Sequence, residues 1–309
     1  MTQMNLIAII LALAFLSCDP EIAVTTITEN TDGTWTMTMG NASLTINPSD
    51  GAKDISLKIN GTEFLTGKEV RKQYYGSSLW LAPQKKYWPQ PDPLDYGNYK
   101  VEKTNHGLIF KSEMDSKTGF GYTKCIFPDP ADKSFIHRYS IRNISDTLKS
   151  FAAWEVTRHP KTGLSVFPEG DSTVPGTRYL DPSIPMLKSD GMVWHSYDPS
   201  QKNHLGKGSK ANFDVKNGWV AYILGKHALV KIFPDVSPAR MVPGELDVEI
   251  YVDRQYDYIE IETLSELVEL APGESFDWQV EWKMLEIPES LEIRPGNKKL
   301  AGFIKKNIR

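Results

Sequence analysis

Strand signals follow one another almost without a break from Thr34 to Leu285, and no other feature constrains the fold as much. "TWTMTM" (34–39), "ASLTI" (42–46) and "DISLKI" (54–59) alternate or nearly alternate, and Asn60-Gly61 supplies a turn that needs positive φ. "GLIFKSE", "SFIHRYSIR" and "SFAAWEVTR" continue the pattern, as do "GWVAYIL", "HALVKIF", "LDVEIYV", "YIEIETL" and "SFDWQVEWKML". The segments between them are rich in Gly, Pro, Asp and Asn, as turns require. Many short strands with no linker between them predict one large all-β, two-layer sandwich. The 40% hydrophobic content supplies a core for it.

The two ends read differently. "NLIAIILALAFLSC" is an apolar run too short to span a bilayer, closed by Leu16, Ser17 and Cys18. It resembles the lipobox of bacterial lipoproteins, in which cleavage precedes a cysteine that is then acylated, although "MTQMN" lacks Lys and Arg. The alternative is a buried N-terminal helix. The lipobox reading makes residues 1–18 a signal peptide and 19–33 a polar tether, with the β domain over 34–288 and a tail over 289–309. It places the chain at the outer membrane, facing the periplasm or the exterior, held by lipid on Cys18. In the tail, Leu300, Phe303, Ile304 and Ile308 recur at helical spacing opposite a basic face. That predicts a short C-terminal helix, packed on the sandwich or lying on a membrane surface.

Several function classes are excluded. A net charge of −4 without any basic block argues against nucleic acid. There is no phosphate-cradling glycine loop, nucleophile elbow or zinc helix, and the six histidines are scattered. No metal or cofactor is therefore predicted, and nothing in the sequence fixes the oligomeric state. With Cys18 acylated, Cys125 has no disulfide partner and reads as a small apolar residue in a strand.

Carboxylates, aromatics and a few cations remain. In "AAWEVTRHP", Trp154, Val156 and Arg158 share one strand face, and Glu155 and Thr157 the other, with His159 following. A glutamate in so apolar a stretch must be buried or line a cleft, and needs a cation nearby. The bland alternative is a structural Glu–Arg pair. Glu260 and Glu262, two apart, share a face, with Glu249 on a candidate neighbouring strand. Carboxylates that crowd one another raise one another's pKa, one route to an acid or base near neutrality. The alternative is a solvated outer face, which suits Glu260 better than Glu262. Lys231 is a lone cation in "HALVKIF", either orienting a ligand or snorkelling to the surface.

The segment "YYGSSLWLAPQKKYWPQPDPLDYGNY" (74–99) concentrates Trp, Tyr and Pro, and its prolines predict an irregular loop. Trp80, Tyr87 and Trp88 are candidates for one wall of a sugar site, where rings pack against CH groups of a pyranose. They could equally plug one end of the sandwich.

Together, "INPSDGAKDISLKINGTEFL", the aromatic loop, "AAWEVTR" and "IEIETLSELVELAPGES" resemble the DUF4380 family of bacterial proteins, over roughly residues 35 to 285. That family is similar to the galactose mutarotase-like β-supersandwiches, which include aldose 1-epimerases. The resemblance implies a glutamate base on a late strand before a "PGE" turn, matched by Glu262. It implies a histidine acid, whose position falls on Glu155 with His159 four residues later, and an early arginine matched by Lys53. It further implies a sugar- or oligosaccharide-binding protein linked to polysaccharide use, in which Glu262 with Glu155 or His159 runs acid–base epimerisation. Arg158 and Lys231 would orient the ligand. The alternatives are a non-catalytic glycan-binding lipoprotein and a structural outer-membrane assembly protein.

Overall fold

A computed structural model describes residues 25–171, 184, 186–197 and 208–308. The chain forms two antiparallel sheets. The eleven-stranded sheet begins at Thr25–Glu29 on one edge and runs through Trp35–Met39, Ala42–Asn47, Lys53–Ile59, Ser77–Ala82 and Lys149–His159. It continues to Ile259–Leu264, Val248–Val252 and, at the far edge, Ser209–Phe213. The ten-stranded sheet centres on Ser275–Glu286, flanked by Ser134–Asn143 and His227–Ile232. Side chains alternate along these strands, and one continuous core, including Phe120, Phe135, Tyr222, Ile261 and Trp282, fills the space between the layers.

Alternation is the reason the predicted strands form. Ala42–Asn47, for example, buries Ala42, Leu44 and Ile46 and leaves the residues between them half-buried. The Asn60-Gly61 turn has both residues at positive φ, 48° and 77°, as expected for a two-residue hairpin loop.

The outer faces of the two sheets meet different fates. Over the ten-stranded sheet, Leu164, Val166, Trp194, Trp219 and Val230 form a second apolar cluster with Leu300, Ala301 and Ile304. Those last three lie on the helix Lys298–Asn307, which is capped by the Asn297 side chain accepting from the Lys299 and Leu300 amides. The amphipathic tail thus packs on the sandwich, the first of the two alternatives.

Two expectations are corrected. Thr25–Glu29 pairs with Trp35–Met39 as an edge strand, although it falls inside the segment read as tether. Its threonines are β-formers, which the polar composition masked. The aromatic segment is also more ordered than its prolines implied. Ser77–Ala82 is an internal strand, and Gln84–Tyr87 and Asp92–Asp95 are single helical turns. The prolines fall just outside the strand, where no ladder donor is lost. Gly76 admits the chain to this strand at φ +60°, where a Cβ would run into the Asp54 carbonyl oxygen. Cys18 and the rest of the predicted signal lie outside the described residues.

Candidate functional site

Register builds a polar hollow on the outer face of the eleven-stranded sheet. Lys149–His159 lies between Ser77–Ala82 and Ile259–Leu264, so Trp154 faces Trp80 on one side and Leu264 on the other. Two residues on, Val156 is opposite Glu262, which in turn is opposite Glu249. Two further, Arg158 pairs with Glu260, then Tyr251, then Lys210. Residues directly opposite across antiparallel strands share a face. Three successive rungs thus present tryptophans, carboxylates and cations side by side.

Aromatic rings close the hollow. Trp80 is 3% exposed and contacts Trp154 and Trp88, each with ring centroids 5.3 Å away. Trp88 is 42% exposed and also packs on Tyr74 at 5.8 Å. The cavity between these rings and the carboxylates has a volume of about 160 Å³, and Arg71, Lys210 and Tyr258 are among the other residues that line it. Such a volume is below the roughly 300–1,000 Å³ of drug-sized ligand sites and suits a single sugar ring or part of one.

The carboxylates carry most of the chemistry. Glu262 accepts a 2.6 Å hydrogen bond from Trp154 Nε1, yet burial, and then the adjacent Glu249, push its pKa well above the ordinary carboxyl range. It therefore keeps its proton and shares a hydrogen bond with Glu249. Burial raises Glu249 as well, opposed by the ion pair it makes with Lys210. Burial pushes Glu260 up to about 7, against the pull of Arg158. Arg158 Nε donates to Glu260 at 2.8 Å, and the guanidinium lies 4.9 Å from the Trp80 ring centre. Burial disfavours the charge of Lys210, but its ion pair with Glu249 outweighs that and raises its pKa, so the ammonium stays charged. One neutral acid, one carboxyl titrating near 7 and one fixed ammonium share a wall. A site so equipped can hydrogen-bond hydroxyls and move a proton.

Of the residues expected from sequence, Trp80, Trp88, Arg158 and Glu262 come together here. The others do not. Glu155 faces the opposite way, into the space between the sheets. There it pairs with Lys231 at 2.7 Å and accepts from Tyr139 at 2.5 Å and Trp282 at 3.1 Å. Burial disfavours its charge, but Lys231 and His137 outweigh that and hold the carboxyl below its usual range. Glu155 and Glu262 therefore stand on opposite faces of one sheet, and the expected acid–base couple does not form. The physical reason is strand parity, since Glu262 is in register with Val156.

His159 follows Glu155 inward. It stacks on Tyr222, and its Nδ1 is 2.7 Å from the Phe64 carbonyl oxygen. Burial lowers its pKa to about 3, leaving it neutral and remote from the hollow. Lys231 does not snorkel; both of its sequence readings give way to a buried ion pair. Tyr87 donates to the Ser150 carbonyl and packs near Phe120, plugging one end of the sandwich. Lys53 is buried against Asp50 and Asp95, and Asp95 in turn accepts from Trp80 Nε1 at 2.8 Å. Lys53 thus supports the site's floor without lining it.

Sequence reasoning missed Lys210, Arg71, Tyr74, Trp154 and Tyr258, and placed Glu260 on a solvated face. The signal for Trp154 and Glu260 was parity: both share a face with residues already singled out. Arg71 and Lys210 carried no such signal, one lying in a loop and the other on a short edge strand.

Two layers of antiparallel strands, with a short helix closing one outer face and a polar hollow on the other, make a β-sandwich whose fold is like that of a galactose mutarotase-like protein. Solved structures of this architecture superpose on most of the chain. A putative aldose 1-epimerase from Escherichia coli K12 matches with TM-score 0.54 at 12% identity, over 85% of this chain and 100% of that one. A galactose 1-epimerase from Lactobacillus acidophilus NCFM matches with TM-score 0.52 at 12% identity, over 86% and 100%. A TPR-domain containing protein from Parabacteroides distasonis gives TM-score 0.56 at 15% identity over 86% of this chain, which spans only 50% of that protein's length. At such identities the likeness is one of fold. No protein-family model matches the chain, and neither does any curated protein.

Proposed function

We propose that the chain is a carbohydrate-binding protein whose ligand sits in the hollow between Trp80, Trp88 and Glu262. The observation that carries this reading is the pairing of tryptophan faces with buried, hydrogen-bonding carboxyls on one sheet face. Rings cover the CH side of a pyranose while the carboxyls and Lys210 meet its hydroxyls. The fold supports it, since solved structures of the same architecture include a galactose 1-epimerase. A glycan array probed with the full-length chain tests it; retained binding after Trp88→Ala would remove the hollow as the site.

A second reading is favoured by the split between the carboxyls. In it Glu262, protonated, gives its proton to the ring oxygen of an aldose, while Glu260 takes the proton of the C1 hydroxyl. The bond from C1 to the ring oxygen breaks, an open-chain aldehyde forms, and closure on the other face gives the second anomer. This replaces Glu155 and His159 as the partner of Glu262 and turns Glu262 from the expected base into the acid. Proton NMR of freshly dissolved sugars, with and without protein, separates binding from epimerisation.

The remaining parts of the reading rest on sequence motifs. The aromatic loop and the "ETLSELVELAPGES" ending support kinship with DUF4380. The "LSC" motif at 16–18 supports lipid attachment at Cys18 and an outer-membrane address, where a protein of polysaccharide breakdown would meet its sugars. Metabolic labelling with a palmitate analogue, lost in Cys18→Ala, tests the anchor.

A further inference from the structure

A larger cavity, about 920 Å³, opens beside the hollow, and the two share Arg71 as a common wall. Arg71 is firmly placed. Its Nη1 donates to Asp253 at 2.9 Å and to Tyr258 at 2.5 Å, and its guanidinium lies 4.5 Å from the Tyr74 ring centre and 4.7 Å from that of Tyr256. The row Tyr74, Arg71, Tyr256 therefore forms a ledge running from the small cavity to the large one. Beyond it the large cavity is lined by Tyr96 and by exposed polar side chains, among them Gln73, Asp92 and Glu113. Tyr256 is 37% exposed although its ring is aligned by Arg71. An open tyrosine held in place by a buttressed guanidinium, with acceptors and donors on both sides, repeats the ring-plus-hydroxyl-partner chemistry of the first hollow.

We propose that the two cavities form one groove and that its ligand is an oligosaccharide. One sugar unit fills the hollow at Glu262, and the next units cross the Arg71 ledge onto Tyr256 and Tyr96. This deepens the carbohydrate-binding reading and rests on it. A single ring fills the small cavity, so the larger one gives further contact only to a ligand that continues outward. Its walls are polar with isolated rings, as a chain of hydroxylated rings requires, and offer no continuous apolar surface for a peptide helix or lipid.

The test is a glycan array carrying monosaccharides and matched oligosaccharides of two to six units, probed with the full-length chain. The best series is then titrated by calorimetry, length by length. Affinity is expected to rise on the order of tenfold from one unit to three and then level off. Tyr256→Ala, on the surface and outside the first hollow, should remove the gain with length and leave monosaccharide affinity unchanged. Trp88→Ala should weaken every length alike. Binding of the monosaccharide with no gain on lengthening, or a gain untouched by Tyr256→Ala, overturns the groove and leaves the hollow standing. An array silent at every length overturns both.

Discussion

Glu249 and Glu262 stand directly opposite one another on the neighbouring strands Val248–Val252 and Ile259–Leu264. Like charges in such a position repel, and both side chains are almost fully buried. The conflict is resolved chemically: Glu262 holds a proton, and Lys210 neutralises Glu249. The pair leaves a hydrogen-bonding acid facing an aromatic hollow.

Because Glu262 is already neutral, Glu262→Gln should leave the fold intact and shift the melting temperature by no more than a few degrees. Sugar affinity should change by only a few-fold, since the amide can still accept from Trp154. Any epimerisation should fall by about a hundredfold or more, the usual share of a positioned acid. An unchanged rate would take Glu262 out of proton transfer.

The pH dependence arises from the same carboxyls. Glu260 is raised from 4.5 to about 7 on folding, so the folded state holds a proton that the unfolded chain releases. Its contribution to stability is full below 4.5 and falls as pH climbs through about 7. Glu262 carries the loss to still higher pH. The melting temperature of the parent relative to Glu260→Gln should fall as pH rises from about 5 to about 8, a comparison that cancels groups such as His159, whose lowered pKa acts in the opposite sense. Glu155, held below its usual range, acts in the opposite sense: its contribution disappears as the medium becomes strongly acid.

The Glu155–Lys231 pair is structural. Removing one partner, as in Lys231→Met, should cost about 3–5 kcal/mol in chemical denaturation, because a buried carboxylate is left alone. The double variant Glu155→Gln with Lys231→Met should recover most of that loss. Sugar binding in the double variant should match that of the parent, which distinguishes this buried couple from the hollow on the far side of the sheet.

The two tryptophans of the aromatic segment should separate by role. Trp88→Ala removes a ring that is 42% exposed, so stability should move little while sugar affinity drops on the order of tenfold. Trp80→Ala empties a buried site against Trp154 and should cost about 3–5 kcal/mol of stability as well. Denaturation and calorimetry on the two variants, side by side, check the distinction.

Much of the architecture was legible from period-two patterning and turn residues, and parity alone separated Trp154 and Arg158 from Glu155. What parity could not say was which face met solvent. Nearly every residue of Lys149–His159 is buried on both faces, so a core glutamate and a cleft glutamate sit in equally apolar surroundings. The aromatic loop was conspicuous, but its division of labour was not. Trp88 lines the hollow and Tyr87 plugs the core because a single helical turn points neighbouring side chains in different directions. Lys210 and Arg71 owe their place to long-range pairing, which one-dimensional patterns do not contain.

The edge strand Thr25–Glu29 has a geographical consequence. Five steps of strand pairing separate it from Lys149–His159, roughly 24 Å at the usual spacing. The described chain therefore enters the sheet at the rim away from the hollow, and the hollow's mouth opens clear of that entry.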